Sequence, residues 1–312
     1  MDHVVVRAKN LSHRYTRDWA IRDLNLEMTR SGITGLLGAN GAGKSTFMNI
    51  LCGALYQTQG DVYVDGLNIR EHPLEAKKRI GFLPQQAPLY FELTVDEYLT
   101  HCASLRNMAA GAIGDAVAFV KEKCGLTHFS RRLINNLSGG YRQRVGIAQA
   151  IVHEPQVVVL DEPMNGLDPN QILEVRKLIK EIAQERFVIL SSHILSEVQA
   201  VCSRIIMIDR GTIVFTGSMD AFNEFTEPHT IRARLENPPD TSAFLAIDGI
   251  TGAQLLNGKR VLLTFEGGQD VAERIVATSV EQGWQLREIG FERSSLEETF
   301  ARLSVDRADA DA

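Results

Sequence analysis

The chain has 312 residues, 44% of them apolar and 23% charged, which fits a soluble globular protein of about two domains. Its formal net charge is −6 without long runs of lysine or arginine, which disfavours nucleic acid as the main ligand. Four widely spaced cysteines argue against a disulfide framework or a cysteine metal site, and no apolar run reaches the about 18 residues that span a bilayer.

Short segments rich in apolar and β-branched residues begin the chain and predict strands. The first two cover residues 3–8 and 22–28, and two more follow at 61–64 and 79–83. We predict that this first part of the chain forms an antiparallel sheet.

Residues 38–45 fill every fixed position of the pattern G-x-x-x-x-G-K-[ST], between an apolar run at 33–37 and a helix-like stretch. Glycines let successive backbone N–H groups curl around a phosphate, and the following helix directs its positive end at the same anion. A glycine-rich turn that fits by chance is disfavoured by this context. The pattern predicts a nucleoside triphosphate site, with Lys44 at the β and γ phosphates and the Ser45 hydroxyl on Mg²⁺. The predicted contacts are Gly38, Asn40, Gly41, Ala42, Gly43, Lys44, Ser45 and Thr46.

Helical periodicity replaces the strand pattern between residues 93 and 136. It predicts two helices, each with one buried apolar face. These faces are Val95, Leu99, Cys102 and Leu105 in the first helix, and Ile113, Val117, Val120 and Cys124 in the second. We therefore predict a helical subdomain, about residues 93–150, inserted into an α/β domain.

From residue 156 onward strands and helices alternate, which predicts a parallel sheet covered on both faces. The strands are predicted at 157–160, 187–191 and 204–209, with 212–216 as the hairpin partner of the last strand, and the helices at 171–185 and 195–201.

Two adjacent carboxylates, Asp161 and Glu162, follow the apolar strand at 157–160. Neighbouring side chains on a strand point to opposite faces, so the two carboxylates are expected to have different roles. We predict that Asp161 binds Mg²⁺ and that Glu162 is the general base for a water beyond the γ-phosphate. A plain strand-ending turn is the alternative, which the upstream glycine loop disfavours.

A change of pattern near residues 224–228 predicts a second domain at 225–305, followed by a disordered tail at 306–312. Its predicted order is β-α-β-β-α-β with a closing helix, typical of a small ferredoxin-like α+β domain. No metal-ligand set or nucleophile pair occurs in its sequence, so we expect a role in dimer contact or regulation. The strands are predicted at 229–235, near 255, at 260–265 and 284–289, and the helices at 241–247, 270–281 and 296–303.

The segment Leu-Ser-Gly-Gly-Tyr-Arg-Gln-Arg at 137–144 places a hydroxyl and two glycines at a helix start, which suits a phosphate. With this segment, roughly residues 4–220 resemble the ATP-binding cassette (ABC) ATPases, whose signature is LSGGQ. The resemblance implies that Ser138, Gly139 and Gly140 contact ATP bound to a second subunit, and Tyr141 departs from the usual Gln. It also implies a P-loop NTPase cassette over 1–224, with a RecA-like core, an antiparallel β subdomain and the helical subdomain.

Three single residues match further functional positions of that family. His193 matches the switch histidine at the γ-phosphate, although a histidine after a strand is more often structural. Gln85 matches the residue that binds Mg²⁺ and orders the attacking water, with Gln86 as a one-residue alternative. Tyr15 matches the aromatic residue that stacks on adenine, the alternative being an ordinary strand tyrosine.

The segment Asn-Gly-Leu-Asp-Pro at 165–169 is similar to the family's D-loop, which crosses the dimer interface. The resemblance therefore assigns Gly166, Leu167 and Asp168 to that interface. Met164 and Asn165 replace the more usual Thr and small residue, and we expect this to change only fine interface geometry.

In the ABC family each site takes its glycine loop from one copy and its signature from the other, so the resemblance implies a head-to-tail dimer of this chain around two ATP molecules. The resemblance further implies a separately encoded integral membrane permease that docks near residues 87–94, at the cytoplasmic face of the cell membrane. The order of domains is similar to exporters of the drug-resistance and ABCA-like branch, and residues 168–172 to gliding-motility cassettes. A soluble ABC mechano-ATPase acting on ribosomes or nucleic acid is the alternative. Such proteins usually have two cassettes in one chain or basic extensions, and this sequence shows neither.

Overall fold

A computed structural model describes residues 4–29, 32–225, 229–256 and 258–292 of the chain. The chain divides into two compact units, Met1–Asp220 and Ala221–Ala312. The helix predicted at 296–303 and the tail predicted from residue 306 lie outside the described residues. The predicted domain boundary between 224 and 225 stays a prediction. Within the described part, no helix is both long and apolar enough to cross a membrane.

The first sheet of the first unit is antiparallel, in the order β2-β1-β4-β5. Residues 79–83 were expected in this antiparallel part, but their strand pairs in parallel in the second sheet. Strand β1 extends well beyond the predicted 3–8, because irregular pairing after Ala8 lets it bend and continue to Tyr15. The strands are β1 (Val4–Tyr15), β2 (Asp18–Thr29), β4 (Gln59–Val64) and β5 (Leu67–Asn68).

The second sheet has the order β10-β9-β3-β8-β7-β6, and all neighbours are parallel except β10, which is antiparallel to β9. Every residue of β3, β7 and β8 is buried, so the predicted parallel sheet covered on both faces is confirmed. The strands are β3 (Ile33–Leu37), β6 (Ile80–Leu83), β7 (Val157–Leu160), β8 (Phe187–Ser192), β9 (Arg204–Asp209) and β10 (Thr212–Ser218).

Eight α-helices are described up to residue 225. They are α1 (Lys44–Leu51), α2 (Pro73–Arg79), α3 (Val95–Leu105), α4 (Ala110–Lys123), α5 (Gly139–Ile151), α6 (Pro169–Ala183), α7 (Leu195–Val201) and α8 (Met219–Phe225). Two short 3-10 helices, Thr127–Phe129 and Ile134–Asn136, join α4 to α5.

Helix α3 differs from its predicted buried face at its C-terminal end. Leu105 is 66% exposed, whereas Tyr98 and Ala103 are buried together with the predicted Val95 and Leu99. The buried residues follow the three- and four-residue spacing of one helix face, and Leu105, two residues after the buried Ala103, lies at the edge of that face.

Helix α5 packs very closely on β6. A Cβ atom added to Gly81 of β6 would overlap the carbonyl oxygen of Ala150, near the C-terminal end of α5. Only a glycine lets the helix backbone approach the sheet to this distance.

The second unit contains a four-stranded antiparallel sheet in the order β12-β13-β11-β14. Strand β14 begins two residues later than predicted, because Gly283 and Gln285 have positive φ angles of 69° and 53°. Trp284 instead packs in the core, with its ring 5.0 Å from that of Phe244. The elements are β11 (Thr230–Leu235), α9 (Thr241–Leu245), β12 (Ile250–Leu255), β13 (Arg260–Phe265), α10 (Val271–Glu281) and β14 (Leu286–Glu292).

Candidate functional site

The candidate site lies at the carboxyl edge of the parallel sheet, where β3, β7 and β8 end side by side. Because parallel strands end at the same edge, the segments that follow them lie close together. These segments are the glycine loop after β3, the two carboxylates after β7, and His193 after β8.

The glycine loop depends on its first and last glycines for close packing. A Cβ atom on Gly43 would lie 2.6 Å from the carbonyl oxygen of Ala20 and 2.7 Å from the Ile21 side chain, and one on Gly38 would overlap the Ile208 carbonyl. Gly43 also has a φ of 108°, a conformation that glycine adopts without strain. The loop backbone is therefore fixed by neighbours within this chain.

Lys44 begins α1 and is 5% exposed. Its Nζ atom donates hydrogen bonds to the carbonyl oxygens of Gly38 at 2.8 Å and Ala39 at 3.1 Å. Burial lowers the pKa of Lys44, and the charges of Glu162 and Asp161 partly oppose that shift. The loop thus surrounds a buried cation, which suits a phosphate.

The other predicted loop contacts lie around Lys44. Asn40 and Gly41 are exposed, Ala42 is buried, and Ser45 and Thr46 are half-buried in the first turn of α1. The structure therefore gathers the whole predicted set at one helix N-terminus. Their contacts with ATP stay predictions.

Asp161 and Glu162 are both buried, but the predicted reason for their different directions is wrong. Strand β7 ends at Leu160, so neither carboxylate belongs to a pleated strand. Glu162 has a φ of 48°, a left-handed conformation that costs a residue with a Cβ atom roughly 1–2 kcal/mol. The two carboxylates have different partners, Ser191 for Asp161 and His193 for Glu162, and the backbone turns at Glu162.

The carboxylate of Glu162 is surrounded by polar side chains. His193 Nδ1 lies 3.1 Å from Oε1, and Lys44 Nζ lies 4.0 Å from the same oxygen. Gln85 Nε2 and Asn165 Nδ2 each donate to Oε2 at 3.3 Å. The structure therefore brings together Gln85, Glu162 and His193, as the sequence predicts, and it places Gln85 rather than Gln86 in this contact.

The oxygen atoms at this edge fit Mg²⁺. Ser45, Gln85 and Asp161 offer a hydroxyl, an amide carbonyl and a carboxylate, which are the hard donors that Mg²⁺ prefers. In the described residues, no group of three or more His, Cys, Asp and Glu side chains suits a metal ion by itself. Mg²⁺ in nucleotide sites usually takes one or two carboxylates together with substrate phosphates.

Two residues, Ser191 and Asn165, make contacts at this edge that were not predicted. The Ser191 hydroxyl accepts a hydrogen bond from Glu162 N–H at 2.9 Å and donates one to Asp161 Oδ1. Asn165, expected to affect only an interface, contacts the Glu162 carboxylate instead. The sequence signal that could have found Ser191 is a weak one, its position near the end of the buried strand β8, two residues before His193.

The signature segment begins α5. Ser138 precedes the helix and is exposed, as is Gly139, whereas a Cβ atom on the buried Gly140 would lie 2.6 Å from the Gln171 side chain. Tyr141, the departure from the family pattern, packs its ring 4.4 Å from that of Phe129.

Helix α5 is also joined to the carboxylate edge. Gln143 Nε2 donates to the Pro163 carbonyl oxygen at 2.8 Å, one residue after Glu162. Sequence reasoning assigned no role to Gln143, because the contact joins segments that are 20 residues apart.

The remaining predicted residues lie at the surface. Tyr15 ends β1, is 51% exposed and meets the His13 ring edge-on at 4.7 Å. In the D-loop, Gly166 has a φ of 73° and Leu167 is half-buried. Asp168 caps α6 by accepting hydrogen bonds from the N–H groups of Asn170 and Gln171, each at 3.0 Å. Asp168 thus has a structural role, and the interface role of the D-loop stays a prediction.

Residues 21–165 match a family model described as ABC transporter. The chain is 31% identical over 302 residues to the uncharacterized ABC transporter ATP-binding protein YhcH of Bacillus subtilis, covering 96% of each chain. It is 33% identical over 217 residues to the linearmycin resistance ATP-binding protein LnrL of the same organism, covering 69% of each chain. Among solved structures, it resembles the dimeric ATP-binding cassette MJ0796 bound to ADP and Pi, with a TM-score of 0.62, 25% identity, and coverage of 69% of this chain and 98% of that one.

Proposed function

Because this chain belongs to the ABC transporter family of ATP-binding proteins, we propose that it binds and hydrolyses ATP to drive a membrane transporter. The observation that carries this proposal is the convergence of the glycine loop and the carboxylate edge, where Lys44 Nζ lies 4.0 Å from Glu162 Oε1. A phosphate held by the loop is therefore adjacent to a buried carboxylate that can act as a base.

The chemistry is divided among the residues of this edge. Lys44 and the loop N–H groups hold the β and γ phosphates, and Ser45, Asp161 and Gln85 hold Mg²⁺, which neutralises phosphate charge when bound. Glu162 takes a proton from the attacking water. His193 contacts the γ-phosphate beside Glu162, which fits its position 3.1 Å from Oε1. Tyr15, exposed at the end of β1, stacks on adenine.

The ATP site is completed by a second copy of this chain. Ser138 and Gly139 are exposed at the start of α5, where the helix dipole favours an anion. We infer a head-to-tail dimer in which Ser138, Gly139 and Gly140 of one copy contact the γ-phosphate held by the other, with Gly166, Leu167 and Asp168 at the interface. The dimeric MJ0796 cassette supports this arrangement.

The driven partner is an integral membrane permease that docks on residues 87–94. This segment exposes the rings of Tyr90 and Phe91, and the Arg142 guanidinium of α5 lies 5.3 Å from the Phe91 ring centre. A partner that contacts Phe91 is therefore connected to the signature helix α5 through the Arg142 side chain. We place the chain at the cytoplasmic face of the cell membrane, held there by this permease.

We propose export as the direction of transport, within the drug-resistance and ABCA-like branch and near the gliding-motility cassettes. A relative named for linearmycin resistance supports export. The domain at 225–305 contributes to dimer contact or regulation, because no candidate catalytic group was predicted there.

The first test compares Lys44→Ala with Lys177→Ala, a lysine on α6 that is 81% exposed. We expect Lys44→Ala to weaken ATP binding by about 10- to 100-fold, since a hydrogen bond to a charged group contributes roughly 1.5–3 kcal/mol. Lys177→Ala should bind like the unsubstituted chain in isothermal titration. Normal affinity in Lys44→Ala would contradict the phosphate assignment.

Copurification distinguishes the transporter from the mechano-ATPase. When the full chain is purified in detergent from the organism that makes it, a polytopic membrane protein should copurify with it. Retention of ribosomes without such a protein would replace the transport proposal by the alternative.

A further inference from the structure

Ser191 lies next to the two carboxylates because β8 continues past its last pair with β7. That pair is Leu160 with Leu190, so Ser191 is level with the residues that follow β7. On its other side Ser191 pairs with Leu36 of β3. The side chain is fully buried in the middle of the parallel sheet.

The Ser191 hydroxyl uses both its donor and its acceptor capacity at this place. It accepts the Glu162 N–H at 2.9 Å and donates to Asp161 Oδ1. A buried hydroxyl is costly unless it is hydrogen-bonded, and a bond to a carboxylate is among the stronger ones. One hydroxyl therefore joins the side chain of Asp161 to the backbone of Glu162.

The backbone of Glu162 needs such a restraint. Its φ of 48° is a sparsely populated conformation for a residue with a Cβ atom, so the surrounding structure must hold it. Contacts with His193 and Gln85 hold only the carboxylate end of the side chain. The hydrogen bond to Ser191 holds the other end, where the chain turns.

We propose that Ser191 is a positioning residue that fixes the base Glu162 relative to Asp161, and hence the attacking water relative to the metal. The inference rests on the functions proposed above for these two carboxylates. Ser191 acts only through them and contacts no reacting atom.

The test replaces Ser191 in the full chain by Thr and by Val, which have nearly the same shape but differ in the hydroxyl. The matched control is Thr34→Val on β3, which removes a buried hydroxyl that has no hydrogen-bond partner among the described residues. Ser191→Ala repeats the comparison with a smaller side chain if Ser191→Val does not fold.

We expect Ser191→Val to lower kcat roughly 10- to 100-fold and to raise the Mg²⁺ concentration for half-maximal rate, as is typical when a partner of a metal ligand is lost. Ser191→Thr should retain most of kcat, and Thr34→Val should match the unsubstituted chain. ATP affinity measured without Mg²⁺ should be the same in all of them, because Ser191 does not contact the phosphate loop.

Two results would overturn this inference: unchanged kcat and Mg²⁺ dependence in Ser191→Val, or equal losses in Ser191→Val and Ser191→Thr, which would indicate packing alone. If the unsubstituted chain hydrolyses ATP, either of these results would contradict the role of Ser191 but not the proposed function. Lack of ATP hydrolysis by the unsubstituted chain would instead overturn the proposed function itself.

Discussion

Two glycine-containing segments at helix starts have opposite surroundings in this chain. The glycine loop at 38–45 is held by its own chain, since Gly38 and Gly43 leave no room for a Cβ atom. The signature segment at 138–140 begins with exposed residues, and a Cβ atom on Gly139 would meet nothing within 4 Å. Packing within the chain therefore requires glycine in the first segment but not at Gly139 in the second.

This difference indicates what each segment recognises. The loop and the carboxylates form a preorganised pocket whose geometry is complete within one chain. Gly139 lowers the helix propensity of α5 without serving any internal contact. This exposed position agrees with the proposed contact with the nucleotide of a second copy.

The largest expected effect tests the carboxylates that are held within one chain. Glu162→Gln should lower ATP hydrolysis by about 10²- to 10⁴-fold, because the amide cannot accept the proton of the attacking water. ATP binding should persist, and the ATP-bound dimer should accumulate in size-exclusion chromatography. Glu122→Gln, on the exposed surface of α4, is the control. Unchanged turnover in Glu162→Gln would remove this residue from the role of base.

Gly43→Ala should disrupt the packing that holds the glycine loop at 38–45 in place. The added Cβ atom meets the Ala20 carbonyl at 2.6 Å and the φ of 108° becomes strained. We expect a loss of about 2–4 kcal/mol in the free energy of unfolding, combining overpacking with backbone strain. Urea denaturation measures this loss of stability. A loss below about 0.5 kcal/mol, which is typical of a surface substitution, would mean that the loop rearranges to accommodate the Cβ atom.

Gly139→Ala should have the smallest effect on stability and an opposite sign. We expect a gain of up to about 1 kcal/mol in the free energy of unfolding, from the higher helix propensity of alanine. ATP binding to the monomer should be unchanged, whereas dimer-dependent hydrolysis should fall. If both stability and hydrolysis fell together, Gly139 would be an internal packing residue after all, and the contrast with Gly43 would disappear.

Features that depend on local chain chemistry could be predicted from the sequence. The glycine loop needs particular residues at fixed spacing, and the buried strands are uninterrupted apolar runs. The resemblance to the ABC ATPases assigned Gln85 and His193 to the same site as Glu162, and the structure brings the three together because β6, β7 and β8 are parallel and end at one edge.

Features that depend on contacts between distant segments could not be predicted. The left-handed turn at Glu162 and its hydrogen bond to Ser191 join segments 29 residues apart. The exposure of Leu105 depends on which face of α3 packs against its neighbours, and the start of β14 depends on two positive φ angles. No periodicity in the sequence encodes these positions.

The close contact between Gly81 and Ala150 has a mechanical consequence. It leaves the C-terminal end of α5 no room to move closer to β6, so we expect this end to be the pivot of any tilt of the helix, with the signature at the other end. Gly139 and Ala150 are 11 residues apart, which makes the arm about 16 Å long at a rise of about 1.5 Å per residue. A tilt of about 5° therefore displaces the signature by roughly 1.4 Å, comparable to the helix shifts of known allosteric transitions.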